Sequence, residues 1–162
     1  MDNSVSHQSR AVISWGDVSR ALDEVVVRCE KTLDVFDQTM TLQGWESRAR
    51  CDALLVAMKE RNVRIRVLIV DDTNVQSAMP RLTNLLKTHG HLLTLIVAEN
   101  PPQSAANYVV ADRQHILLRP NSVQSRGSLN WNDPYKSTTY LSTFEVVWQQ
   151  GGRHIFPEAF GL

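Results

Sequence analysis

The chain has 162 residues, 43% of them apolar and 21% charged, and its 17 basic and 17 acidic side chains leave a formal net charge of zero. That length and mixture suit one folded domain with its own core and exclude an intrinsically disordered polymer. The balanced charge does not favour nucleic acid or an anionic membrane surface as a partner, and no window approaches the roughly 18 apolar residues of a membrane span.

The first dozen residues, Met1 to Val12, are polar and lack the apolar stretch of a secretory signal, so the expected setting is the cytoplasm. Residues 1–13 are expected to form a disordered tail, with a single domain over 14–162. Ser14 followed by Asp17 is a capping pattern. Behind it Val18, Ala21, Leu22, Val25, Val26 and Cys29 recur at helical spacing, which predicts an amphipathic helix over 16–31. Leu33, Val35 and Phe36, set between Asp34 and Asp37, read as a short strand.

A second helix is expected over 45–61, with Cys51, Leu54, Leu55 and Met58 inward and Asn62 at its end. Val63 to Val70 alternates Val-Arg-Ile-Arg-Val before turning wholly apolar, the pattern of a strand whose far end is buried on both faces. Asp71 to Asn74 reads as a loop. Pro80 suits the start of a third helix that Gly90 stops. Leu92 to Ala98 is the next strand, and Tyr108–Ala111 with His115–Leu118 forms a hairpin around Asp112, Arg113 and Gln114.

From Pro120 to Ser137 the composition shifts to Asn, Ser, Gln, Gly, Asp and Pro, which predicts a long loop. Thr138 to Gln150 reads as the last helix, and the apolar tail residues Ile155, Phe156, Phe160 and Leu162 are expected to dock. This order of elements argues for an α/β, three-layer sandwich with a mixed, mostly parallel sheet and helices on both faces.

Chemistry-bearing motifs are sparse. Cys29 and Cys51 lack metal-ligand spacing and read as two buried thiols. Asp71 and Asp72 end a strand as turn-forming acids. His89 and His91 flank Gly90 without further ligands for a zinc site, and no Gly-x-Ser-x-Gly elbow is present. Neither a cofactor nor a metal is expected. Asp112, His115 and Arg119 are candidate ligand residues: alternation puts His115 and Arg119 on one strand face, and such a set binds anions or orients a proton carrier. Ser128 and Asn130, in the run Gly127-Ser128-Leu129-Asn130, join them as candidates because glycine with serine can present amides and a hydroxyl to a phosphate.

The run Asn107-Tyr108-Val109-Val110-Ala111-Asp112 with Gly127-Ser128-Leu129-Asn130-Trp131 resembles the catalytic half-motif of the phospholipase D superfamily. That motif is a histidine, a lysine two residues on, an aspartate five beyond that, then a strand and a Gly-Ser-x-Asn turn. Asp112 matches the aspartate, but Ala105 stands at the histidine and Asn107 at the lysine, and the turn lies about eight residues further along. Phe36-Asp37, Arg64 to Leu68, Met79 to Leu82, Val110 to Asp112 with Leu118 to Pro120, and Phe144 to Trp148 together resemble a small bacterial family of unknown function. Its members have a phospholipase D-like fold and sometimes accompany an acetyltransferase domain.

The resemblance implies a phospholipase D-like α/β fold. It argues against that superfamily's reaction, in which histidine is the nucleophile and lysine neutralises the phosphoryl oxygens. A non-catalytic module that binds a protein partner or an anionic ligand is expected. Catalytic relatives pair two half-sites, so the resemblance also implies a homodimer. Two alternatives stay open: a phosphodiesterase or nuclease built on Asp112, His115 and Arg119, and a regulatory partner of an acetyltransferase.

Overall fold

The structure is a computed structural model that describes residues 6–155; of the apolar tail, Phe156, Phe160 and Leu162 lie outside the described residues. In chain order its elements are β1 (Gln8–Val12), α1 (Trp15–Arg28), β2 (Thr32–Asp37), α2 (Arg48–Arg61), β3 (Arg64–Ile69), α3 (Thr73–Ala78) and α4 (Pro80–Thr88). Then follow β4 (Leu93–Ala98), β5 (Asn107–Ala111), β6 (His115–Arg119), β7 (Gly127–Trp131), α5 (Pro134–Gln150) and β8 (Gly152–His154).

Local chemistry explains the boundaries. The Asp17 N–H donates to Ser14 Oγ at 3.1 Å while the Ser14 N–H donates to Asp17 Oδ2 at 3.2 Å, closing the capping box of α1. The Ser14 and Ile13 amides that donate to the Asp17 carboxyl hold it below its usual range. Val18, Leu22, Val25 and Val26 are fully buried on the inner face of α1, each contributing roughly 1.5–3 kcal/mol. Ser47 caps α2 by accepting from the Arg50 N–H, and Asn62 ends it in the left-handed conformation at φ 57°.

Among the described residues one eight-stranded sheet runs in the order β1-β7-β6-β5-β2-β3-β4-β8. Parallel pairing is confined to β2 with β3 and β3 with β4, joined by α2 and by α3–α4. The other neighbours are antiparallel, so the sheet is mostly antiparallel and the expectation of a mostly parallel one is corrected. The reason lies in which strands meet. The β5–β6 hairpin continues directly into β7, and β1 and β8 close the two edges, so five short antiparallel contacts surround one parallel core.

Helices do cover both faces. α1, α2 and α4 pack with Leu33, Val35, Ile65, Val67, Leu95, Val109 and Leu117 on one side. α5 lays Leu141, Phe144 and Val147 on Phe36, Leu68, Ile96, Val110 and Ile116 on the other. Both parallel crossovers therefore run on the same face, as right-handed connections require. No helix among the described residues is long and apolar enough to cross a membrane.

Three segments differ from the sequence expectations. Residues 8–12, expected within a disordered tail, form β1, which pairs with β7 as an edge strand; only Val12 is buried there, so its exposed polar positions hide the strand. The expected loop over 120–137 contains β7 and the first turn of α5. Gly127 and Ser128 make β7 look like a turn, yet a Cβ at position 127 would stand 2.0 Å from the Leu118 carbonyl oxygen, so the strand needs glycine there. The expected loop after Val70 holds α3. Ile155 docks as expected, its N–H donating to the Leu95 carbonyl at 3.0 Å.

Candidate functional site

β2 ends, β5 begins and β6 ends at one rim of the sheet, and these three strand ends bring together the buried polar side chains of Asp37, Asn107 and Arg119. Asp37, 2% exposed, closes β2. Its Oδ1 accepts from Asn107 Nδ2 at 3.0 Å and from the Met40 and Thr39 amides at 3.0 and 3.2 Å. Its Oδ2 accepts from Gln43 Nε2 at 2.8 Å and Trp45 Nε1 at 3.2 Å. Asn107 completes the lock by accepting the Gln38 N–H at its Oδ1, 3.1 Å away. A buried carboxylate thus holds the β2–α2 connection against the start of β5. Sequence reasoning missed this cluster. The available signal was an acid directly after the apolar run Val35-Phe36, where solvated and buried acids look alike.

Arg119 is the register partner of Asn107 and is 1% exposed. Its Nη1 donates to the carbonyls of Ser122 and Gln124 at 2.7 and 2.9 Å, and its guanidinium lies 5.0 Å from the Trp15 ring centre. Nε and Nη2 have no hydrogen-bond partner. Burial works against the charged form of this arginine, and the charge of Asp37 works for it.

Asp112 and His115 sit at the opposite rim, since residues 115–119 of a strand span about 13 Å. Asp112 adopts φ 55° in the β5–β6 turn. Its carboxylate accepts the amides of Glu30, Lys31 and Thr32 at 2.9, 2.7 and 3.1 Å, and faces the Cys29 thiol at 3.6 Å. It ties the α1–β2 loop to the hairpin. His115 Nδ1 accepts the Asn132 N–H at 2.9 Å and its ring lies 4.9 Å from Trp131. Burial pushes the His115 pKa below its ordinary value.

Ser128 and Asn130 pair with Leu118 and Ile116 and so occupy the α5 face, the opposite face from Arg119. Asn130 Nδ2 donates to Ser128 Oγ at 2.9 Å. The five candidates therefore form three separate groups: Asp112 with His115, Arg119 beside the Asp37 cluster, and Ser128 with Asn130.

Among the described residues no group of three or more His, Cys, Asp or Glu side chains could hold a metal ion. Cys29 and Cys51 are free and buried, as expected for structural thiols; burial pushes their pKa values up to about 12 and about 11, away from thiolate chemistry. Asp71 and Asp72 act locally, Asp71 accepting from Thr73 and Asp72 pairing with Arg153 at 2.9 Å.

Nuc from Salmonella typhimurium, a phospholipase D family member, has a similar structure: TM-score 0.71, 17% identity, 94% of this chain and 100% of Nuc covered. NucT from Helicobacter pylori gives a TM-score of 0.62 at 10% identity, covering 91% of this chain and 99% of NucT. TrmBL2, an archaeal chromatin protein, gives 0.66 at 10% identity over 94% of this chain and 56% of its own. These likenesses show a phospholipase D-like fold. No curated protein matches the sequence. Over residues 15–155 the sequence matches a domain of unknown function, DUF7931, and the chain belongs to that family.

Proposed function

We propose that this chain is a phospholipase D-fold binding module that holds a protein partner or an anionic ligand and does not cleave phosphodiesters by the covalent histidine route. The observation that carries the reading is the state of Asn107. It stands where the superfamily motif has lysine, and both ends of its amide are engaged, Nδ2 by Asp37 and Oδ1 by the Gln38 N–H. A lysine there neutralises phosphoryl oxygens; an amide locked to a buried carboxylate supplies no positive charge. Ala105, at the nucleophile's position, is exposed and carries no nucleophile.

The anionic-ligand half of the reading rests on Arg119, whose Nε and Nη2 lack partners beside Trp15. Asp112, His115, Ser128 and Asn130 are proposed as further ligand contacts on their own rims and faces. TrmBL2 is described as a DNA-binding protein; the zero net charge of this chain gives no comparable support, and nucleic acid is not proposed here. A homodimer and an acetyltransferase partner come from the resemblance alone. Sedimentation at micromolar concentration and co-purification test them in turn, and the proposed setting is the cytoplasm.

The decisive assay is turnover of bis(p-nitrophenyl) phosphate by the purified chain, with and without divalent metal, beside an Asp112→Ala/His115→Ala double variant. The reading expects no turnover above buffer from either protein. Turnover by wild type that the double variant lacks refutes it and makes the hairpin an active site.

A further inference from the structure

A second polar constellation lies at the rim opposite Asp37, on the α5 face, and the proposed function does not use it. Along the central strands this face should be apolar where α5 covers it, and Phe36, Leu68 and Ile96 are, in register with one another. Two residues earlier the same register sets Asp34, Arg66 and Thr94 side by side, and before them Thr32 beside Arg64.

Arg66 is held on all sides. Its Nε donates to Asp34 Oδ1 at 2.6 Å, and Nη2 and Nη1 donate to Glu145 at 2.6 and 3.2 Å. Its guanidinium lies 4.9 and 5.3 Å from the Phe144 and Trp148 ring centres, and it holds the Glu145 carboxyl below its usual range. This triad joins Asp34 and Arg66 on adjacent strands to Glu145 on α5, and with Arg66 and Glu145 27% and 32% exposed it is a weak source of stability. Asp34 and Arg66 of the triad form part of the wall of a cleft of about 360 Å³, which Thr32, Arg64, His91, Arg113 and Trp148 also line. That volume falls within the range of small-molecule sites, about 300–1,000 Å³.

The cleft has unused donors. Arg64 makes no ion pair among the described residues, and Arg113 approaches Glu145 only to 3.9 Å. Thr32 Oγ1 is buried without a hydrogen-bond partner. Arg64, Arg66 and Arg113 line the cleft with one carboxylate, Asp34, while Glu145 bonds Arg66 from outside the lining, so positive charge is left over, and Trp148, stacked on Phe144, adds an aromatic side chain to the wall. We infer that this cleft binds a small molecule in which a phosphate or carboxylate is joined to a flat ring, the oxyanion meeting Arg64 and Arg113 and the ring lying on Trp148. It occupies the other rim and the other face from Asn107 and Arg119, so phosphodiester turnover neither supports nor sinks it.

Calorimetric titration with adenosine 5′-monophosphate, benzoate and inorganic phosphate tests the inference, using wild type and an Arg64→Gln/Arg113→Gln double variant. Both arginines are exposed, so the variant keeps the fold, which circular dichroism verifies. The expected result is saturable binding of a ringed probe, AMP and benzoate separating the phosphate from the carboxylate source, with affinity falling at least about tenfold in the double variant. Inorganic phosphate should bind more weakly than the preferred ringed probe, and amide shifts in NMR spectra should centre on Thr32, Arg64 and Thr94. No saturable heat from either ringed probe up to about 10 mM, or equal affinity in wild type and double variant, overturns the site. Phosphate binding as tightly as the ringed probes overturns the role of Trp148.

Discussion

Removing the Asp37 carboxylate should unfasten the rim at which β2, β5 and the β2–α2 connection meet. Asp37→Ala leaves three buried side-chain donors without an acceptor: Gln43 Nε2, Trp45 Nε1 and Asn107 Nδ2, on residues 4%, 1% and 2% exposed. Each orphaned buried donor costs about 1–3 kcal/mol, and water entering the vacated space recovers part of the sum. A loss of about 4 kcal/mol is therefore expected, in the range that only a few mechanisms reach. Asp37→Asn keeps the shape but sets an NH2 group against N–H donors, and should cost about 2 kcal/mol. Asp52→Asn, an exposed acid on α2, is the control and should stay within about 0.5 kcal/mol. Urea unfolding at 25 °C, followed by both far-UV circular dichroism and tryptophan fluorescence, measures all three. A cost below about 1.5 kcal/mol for Asp37→Ala would refute the reasoning, because it would mean that the network is not desolvated.

The remaining predictions concern the opposite rim. His115 has its pKa depressed from 6.5 by burial, with Arg28 adding to the shift and Asp112 and Glu30 opposing it. Between 6.5 and the lower folded value the unfolded state binds more protons, so stability is complete above about pH 6.5 and falls as pH drops below it. Unfolding free energies measured from pH 7.5 to 5 should show this slope, and His115→Gln should flatten it; an unchanged slope contradicts the assignment. Asp112→Ala frees three loop amides and leaves alanine at a φ of 55°, which should cost about 2–3 kcal/mol. Asp112→Asn, which tolerates the left-handed conformation and keeps an acceptor, should recover at least half of that loss in the same urea assay.

Strongly periodic elements were legible in the sequence. The Ser14–Asp17 box, the stripe from Val18 to Val26 and the Arg64 to Ile69 strand all stand where spacing put them. Local signals fail where polar or turn-forming residues dominate or open a strand. β1 lies at an edge and buries only Val12, and β7 opens with a glycine and a serine, so both resemble loop. The sense of the sheet depends on how distant strands pair, which a run of helix and strand signals does not encode.

The candidate site was legible in part. Alternation placed His115 and Arg119 on one face of β6, but rim-to-rim distance separates them, and periodicity carries no distance across the sheet. Arg119 gave no sign of being buried, because its cover is Trp15 and the Ser122 and Gln124 carbonyls from elsewhere in the chain. The Asp37 cluster was invisible for the same reason: its partners Gln43, Trp45 and Asn107 meet only in three dimensions.

The loss of the covalent route is the central claim, and it is tested most directly by looking for the covalent intermediate. Purified chain is incubated with bis(p-nitrophenyl) phosphate, quenched at alkaline pH, where phosphohistidine persists, and examined by intact-mass and peptide mass spectrometry. The account predicts that the chain keeps its unmodified mass at every time point. A phosphoryl adduct that maps to a histidine, His115 included, and disappears on further turnover would contradict it.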